Sequence, residues 1–204
     1  MCIRDRFTLQ VGLKIALQEE GYNVGHIGTE PSALLFNADA CFPFGYEGNV
    51  DLHGQNFVKA LNWTIHRVDI KEPEVDVLLV GSQSGTTPAN YNNVNQIPFR
   101  QMDFLVAVIP DLVILCINPD DSFEYIERTI KTIEGVSGSK VCALALYPFS
   151  IMNKWHYMND LRTPINNKEI RKEQIQKHFN RKVYIIGDNN EMKLLAKECI
   201  LLLS

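Results

Sequence analysis

The stretch Val75-Asp76-Val77-Leu78-Leu79-Val80-Gly81-Ser82-Gln83-Ser84-Gly85-Thr86-Thr87-Pro88 decides how this chain is to be read. Val77, Leu78, Leu79 and Val80 follow one another with no polar residue between them. So dense an apolar run suits a strand buried on both faces, as in a parallel sheet covered by helices. It stops at a small, hydroxyl-rich loop with two glycines and a closing proline. Such a loop turns tightly and lets a ligand come close to the backbone. In open parallel sheets, ligands sit in crevices at the carboxyl ends of the strands. The plain alternative is a surface turn that closes a core strand.

The same pattern recurs on both sides. Residues 22–27 read as a short strand that ends in Gly28-Thr29-Glu30-Pro31-Ser32. Residues 111–118, DLVILCIN, are a third apolar run, ending in Pro119-Asp120-Asp121. Residues 140–146 and 182–186 complete the strands. Between them lie helical patterns. Residues 7–20 place Leu9, Leu13, Ala16 and Leu17 on one face, and Gly21 stops the helix. Residues 55–70 repeat Phe57, Leu61 and Ile65; residues 99–108 repeat Phe104 and Val108. Residues 123–134 carry Phe123, Ile126, Ile130 and Ile133, with Ser122 as the N-cap and Asp121 as its competitor. Residues 168–179 and 190–203 form the last two helices. Strands alternating with helices predict an α/β fold with a doubly wound, mainly parallel sheet, in one domain over residues 7–204.

Two stretches carry no periodicity. Residues 33–54 are irregular, rich in Gly, Asn and Asp as well as Phe and Tyr, and a loop of that length is usually functional or mobile. Residues 150–164 are irregular as well and contain Trp155, His156 and Tyr157, a candidate lid or partner surface. Equally, Trp155 anchors the loop to the core, because burying such a ring is worth about 1.5–3 kcal/mol without any partner.

The chain has 204 residues, 46% of them hydrophobic and 22% charged, which is the balance of an ordinary soluble globular protein. Its net charge of -4, with no run of Lys or Arg, argues against nucleic acid as a partner. No apolar segment approaches the roughly 20 residues that span a bilayer. The five cysteines are scattered, with no CxxC pair, so a reducing cytoplasm is the expected compartment. The five histidines, His26, His53, His66, His156 and His178, show no metal-ligand spacing, and no metal site is expected from them. Met1-Cys2-Ile3-Arg4-Asp5-Arg6 is not a signal peptide, since no apolar segment follows. It resembles the short artefact found at the ends of assembled environmental sequences. Residues 1–6 are therefore expected to be non-native, with a genuine short N-terminus as the alternative. The first element is then a helix, whereas a doubly wound sheet opens with strand, loop and helix; the first strand and loop are expected upstream of Phe7.

With such a strand and loop ahead of Phe7, the element order resembles P-loop NTPases of the class that includes dethiobiotin synthetase. More narrowly, Phe7-Thr8-Leu9-Gln10, Gly28-Thr29-Glu30-Pro31-Ser32 and Gly81-Ser82-Gln83-Ser84-Gly85 resemble a P-loop-related family of peptide maturation proteins. That family is associated with gene clusters for modified, bacteriocin-like peptides, and the resemblance runs from Phe7 to about Phe149. It implies an accessory protein of peptide maturation whose intact form binds ATP, with Mg²⁺, and has a precursor peptide or a maturation enzyme as partner. In such proteins a G-x-x-x-x-G-K-[ST] loop before the first helix cradles the phosphates. Neither that loop nor its lysine is in this chain, so tight nucleotide binding is expected only of the intact protein. The resemblance places Thr8 near the Ser/Thr of that loop. The candidate nucleotide contacts are then Thr8, Thr29, Gly81, Ser82, Gln83, Ser84, Gly85 and Asn118.

Three departures count. A Walker B strand ends in Asp or Glu, which organises the metal, but Val80 is followed by Gly81 and Ser82, and Asp76 sits at the strand's start. The guanine-reading N-K-x-D pattern is not met in Asn118-Pro119-Asp120-Asp121, where carboxylates suit a helix start. Gly81-Ser82-Gln83-Ser84-Gly85 is not the nucleophile elbow G-x-S-x-G, because Gln83 stands at the nucleophile position. Glu30, Ser82 and Ser84 remain as candidate catalytic groups: Glu30 as a base or metal ligand, the serines as nucleophiles of a hydrolase or transferase with His26 or His156 as base. A non-catalytic module that holds a peptide or partner protein is the other alternative.

Overall fold

The computed structural model describes residues 5–44, 51–71, 74–82, 85–88, 99–151, 162–165 and 167–204. Gln83, Ser84, Trp155, His156 and Tyr157, on which sequence expectations rest, lie outside them. The element order is α1 (Asp5–Glu19), β1 (Val24–Gly28), a 3-10 turn (Pro31–Phe36), β2 (Ala40–Cys41), α2 (Gly54–Asp69), β3 (Val77–Val80), α3 (Phe99–Val108), β4 (Leu112–Ile117), α4 (Phe123–Ser137), β5 (Lys140–Leu146), β6 (Phe149–Ile151), β7 (Arg162–Pro164), α5 (Lys168–Phe179), β8 (Lys182–Ile185) and α6 (Asn189–Leu203). The parallel strands fall into two groups of three, β2-β1-β3 and β4-β5-β8.

Side chains alternate across these strands, as the period of two requires. Leu144 and Leu146 of β5, with Ile27, Ile117 and Val183, point to one face. There they meet Phe57 and Leu61 of α2, Phe104 of α3, Ile126 and Ile130 of α4, and Ile175 of α5. Ala143 and Ala145, with Val24 and Tyr184, point to the other face, against Leu9, Leu13 and Leu17 of α1 and Met192 and Leu195 of α6. Both faces are thus covered by helices, which is why the strands read as continuous apolar runs.

Ser122 caps α4, its hydroxyl accepting the Tyr125 N–H at 3.2 Å. The helix runs past its expected end to Ser137, and Gly138 closes it at φ 74°. Ser122→Ala is expected to cost about 1 kcal/mol, read as a lowered urea midpoint with an unchanged slope.

Two expectations are corrected. Residues 33–54 are not irregular throughout: a 3-10 turn and β2 lie within them. Phe42 and Phe44 are buried there, packed edge-on to Phe57 at 5.3 Å, so aromatic burial rather than periodicity orders the segment. Residues 150–164 include strand pairing, since β6 and β7 form an antiparallel pair in which Ser150 faces Thr163. Short strands of this kind leave no periodic signal. α1 begins at Asp5, inside the stretch read as non-native.

Candidate functional site

The carboxyl ends of β1, β3 and β4 meet the amino-terminal turns of α1 and α4. Gly81 N–H donates to the Ile27 carbonyl at 3.0 Å, which sets the ends of β1 and β3 side by side. The loop after β3 reaches α4: Thr87 and Thr129 hydroxyls share a hydrogen bond of 2.7 Å, and Arg128 donates to the Pro88 carbonyl at 2.9 Å. From α1, Gln10 lies against Gly81, where an added Cβ would overlap its side-chain amide. A cavity of about 480 Å³ opens between these elements, lined by Arg6, Gln10, Gly81, Ser82, Gly85, Asn118, Asp121 and Tyr125 at this end.

Of the residues singled out from the sequence, Gly81, Ser82, Gly85 and Asn118 are therefore brought together. Thr8 is exposed on α1, Thr29 is buried beside the end of β1, and neither lines the cavity. Glu30 also stands outside it, accepting from the Ser32 hydroxyl at 3.4 Å. Burial, and then the Glu30 carboxylate, push the Cys41 thiol pKa up. Ser82 Oγ donates to Gln101 Oε1 at 2.7 Å, so its hydroxyl is held by an amide.

Four groups that sequence reasoning did not assign to the site shape it. Gln10 Oε1 pairs with Nε2 of His26 at 2.9 Å, and His26 is fully buried. Burial, aided by the nearby Lys14 ammonium and opposed by Asp39, brings the His26 pKa down to about 4. His26 is accordingly a neutral hydrogen-bonding partner. Gln101 is buried on α3 beside Phe104 and Leu105. Tyr125 lines the cavity, and burial followed by the Asp121 charge raises its pKa. Arg171 reaches over from α5, its guanidinium donating to the carbonyls of Pro119 and Asp121, each at 2.9 Å. It lies over the Phe123 ring at 4.9 Å. The legible signal was a glutamine on an otherwise apolar helix stripe, which suits Gln101. Arg171, on a polar helix far along the chain, gave none.

These residues suit an anion better than a metal. Small residues leave room for a ligand at this edge, although the Gly81 N–H is already taken by the Ile27 carbonyl. No carboxylate follows β3; Asp76, at its other end, accepts the Asn23 N–H at 2.7 Å. Asp121 accepts the Asn118 N–H at 2.8 Å, and burial raises its pKa despite that bond. Among the described residues no group of three His, Cys, Asp or Glu could hold a metal ion.

Gly81→Ala tests the packing of this edge. Gln10 must move aside and release His26, leaving a buried ring nitrogen without its partner. A loss of about 1–3 kcal/mol in unfolding free energy is expected. In a Gln10→Ala background the same change is expected to cost clearly less, which urea unfolding of the four proteins would show.

The sequence matches no family model and no curated protein. Solved structures share the fold. A DUF1611 family protein from Anabaena variabilis superposes with a TM-score of 0.63 at 10% identity, covering 97% of this chain and 54% of its own. This chain thus spans about half the length of that protein. The nucleotide-binding protein from Archaeoglobus fulgidus, solved in complex with ADP, superposes with a TM-score of 0.53 at 15% identity, covering 93% of this chain and 81% of its own. Among the described residues no helix is long and apolar enough to cross a membrane. The likeness is one of fold: parallel strands covered on both faces by helices in a doubly wound α/β arrangement.

Proposed function

We propose that the intact protein binds ATP or a related nucleotide at the edge formed by Gly81, Ser82, Gly85 and Asn118, and works in the cytoplasm as an accessory of peptide maturation. The observation that carries the nucleotide part is the meeting of the β3 and β4 carboxyl ends with the start of α1. That is where a doubly wound sheet takes its ligand. The Archaeoglobus protein, which shares the fold and holds ADP, supports the same choice. In this proposal a phosphate loop upstream of Phe7 supplies the main phosphate contacts, with Ser82 and the amides around Gly81 and Gly85 beside them. Calorimetry with ATP on the 204-residue chain and on an upstream-extended protein is the test. Equal affinity in the two would sink it.

The peptide role follows from the resemblance of Phe7-Thr8-Leu9-Gln10 and the Gly28 and Gly81 loops to peptide maturation proteins. It predicts that the extended protein binds a fluorescent precursor peptide encoded beside its gene. No change in anisotropy at micromolar protein would remove that part and leave nucleotide binding untouched. Two observations favour a binder over a hydrolase: the Ser82 hydroxyl is held by Gln101, and β3 ends without a carboxylate.

A further inference from the structure

The cavity does not end at its polar edge. It continues along β3 and β4, lined by Leu78, Leu79 and Val80 on one side and by every residue from Leu112 to Ile117 on the other. Both strands are unusual in the same way. Leu78 and Val80 of β3, like Val113 and Leu115 of β4, pack on the face of α2 to α5. Val77 and Leu79, like Ile114 and Cys116, pack on the face of α1 and α6. Yet every residue of β3, and every one of β4 except Ile117, is only half-buried, whereas β1 is buried throughout. Helices cover both faces, so the exposure is at the edges. β3 pairs with β1 on one side and β4 with β5 on one side. Their other edges face the cavity and pair with no strand among the described residues, and such edges of apolar strands are costly to leave open.

Handedness says what belongs between them. With β3 and β4 facing each other across the cavity, the steps from β1 to β3, from β4 to β5 and from β5 to β8 all move the same way. Their helices α2, α4 and α5 all lie on one face. A right-handed crossover in the opposite direction must carry its helix on the other face. α1 is on that other face and leads into β1. It therefore fits as the return from a strand on the far side of β3. Its first turns line the cavity beside Gly81 and Asn118, where a parallel strand in the cleft would end.

We propose that the cleft between β3 and β4 receives an extended apolar strand of about five residues, parallel to both, supplied by the natural sequence that leads into α1 of the same polypeptide. It would join the two three-stranded groups into one seven-stranded sheet in the order β2-β1-β3-new-β4-β5-β8. Nucleotide is not needed for this.

The test is hydrogen exchange by mass spectrometry, without nucleotide, on the 204-residue chain and on the protein extended by its natural upstream reading frame. Alternate amides of β3 and β4 should exchange on the order of 10-fold or more slowly in the extended protein. A synthetic peptide of the upstream residues, added to the shorter chain, should give the same protection. Equal exchange in the two proteins overturns the proposal. So does protection of β3 and β4 in the shorter chain that rises with its own concentration, which would assign the cleft to a second copy. Protection without ATP affinity would keep this inference and sink the nucleotide proposal; affinity without protection would do the reverse.

Discussion

Titrated with ATP, the upstream-extended protein is expected to bind about 100- to 10,000-fold more tightly than the 204-residue chain. The figure comes from two charge-assisted phosphate contacts at about 1.5–3 kcal/mol each, which the proposed loop would add. Of the described cations near the edge, Arg6 lines the cavity and three others are engaged elsewhere. Lys14 donates to the Asn37 carbonyl at 2.6 Å, Arg128 to that of Pro88, and Arg171 to those of Pro119 and Asp121. Each is committed to the main chain. Ser82 is engaged with Gln101, the Gly81 N–H with the Ile27 carbonyl and the Asn118 N–H with Asp121, so these groups add little to phosphate binding. Calorimetry at moderate salt is the measurement, and affinities within threefold of each other would contradict the proposal.

Acidification from about pH 7 to about pH 4 is expected to remove about 2–3 kcal/mol of stability through His26 alone. Its folded pKa of about 4 lies below the ordinary 6.5 because burial disfavours the imidazolium. Nε2 is taken by Gln10, and Nδ1 is buried with no hydrogen-bond partner among the described residues. The unfolded chain therefore binds the proton first. The stability is present above the unfolded value and is lost as the pH falls toward the folded one. Lys14 reinforces the shift and Asp39 weakens it. Asp121 acts in the opposite sense: its raised pKa makes the folded state hold a proton more readily, which offsets part of the loss on acidification. His26→Gln isolates the histidine. The gap in urea-derived stability between pH 7 and pH 4 should be smaller in that variant by about 2 kcal/mol or more. An identical gap would mean that His26 is not desolvated as the structure has it.

What was legible in the sequence followed from local periodicity. The apolar runs Val77–Val80, Leu112–Ile117 and Lys140–Leu146, and the helices between them, needed only short-range pattern. Ser122 was readable as a cap because capping chemistry is local. The 3-10 turn after β1 was not: Pro31–Phe36 has no long repeat. It is held by an Ala33 packed so close to Gly28 that a Cβ on the glycine would overlap it. Phe42 and Phe44 looked like loop residues because only the fold brings Phe57 and Phe104 to them.

The site divides in the same way. The sequence by itself determined the alternation of strand and helix, the polar loops after β1, β3 and β4, and the absence of a carboxylate after Val80, all properties of neighbours along the chain. Only the tertiary structure decided that Gln10 joins His26, that Gln101 holds Ser82, and that Arg171 clamps the loop after β4, since each pair is separated by many residues. It alone showed that β3 and β4 are not bonded to each other. Both runs are as apolar as a fully paired central strand, and hydrogen-bond partners across a sheet leave no mark on the sequence of either one.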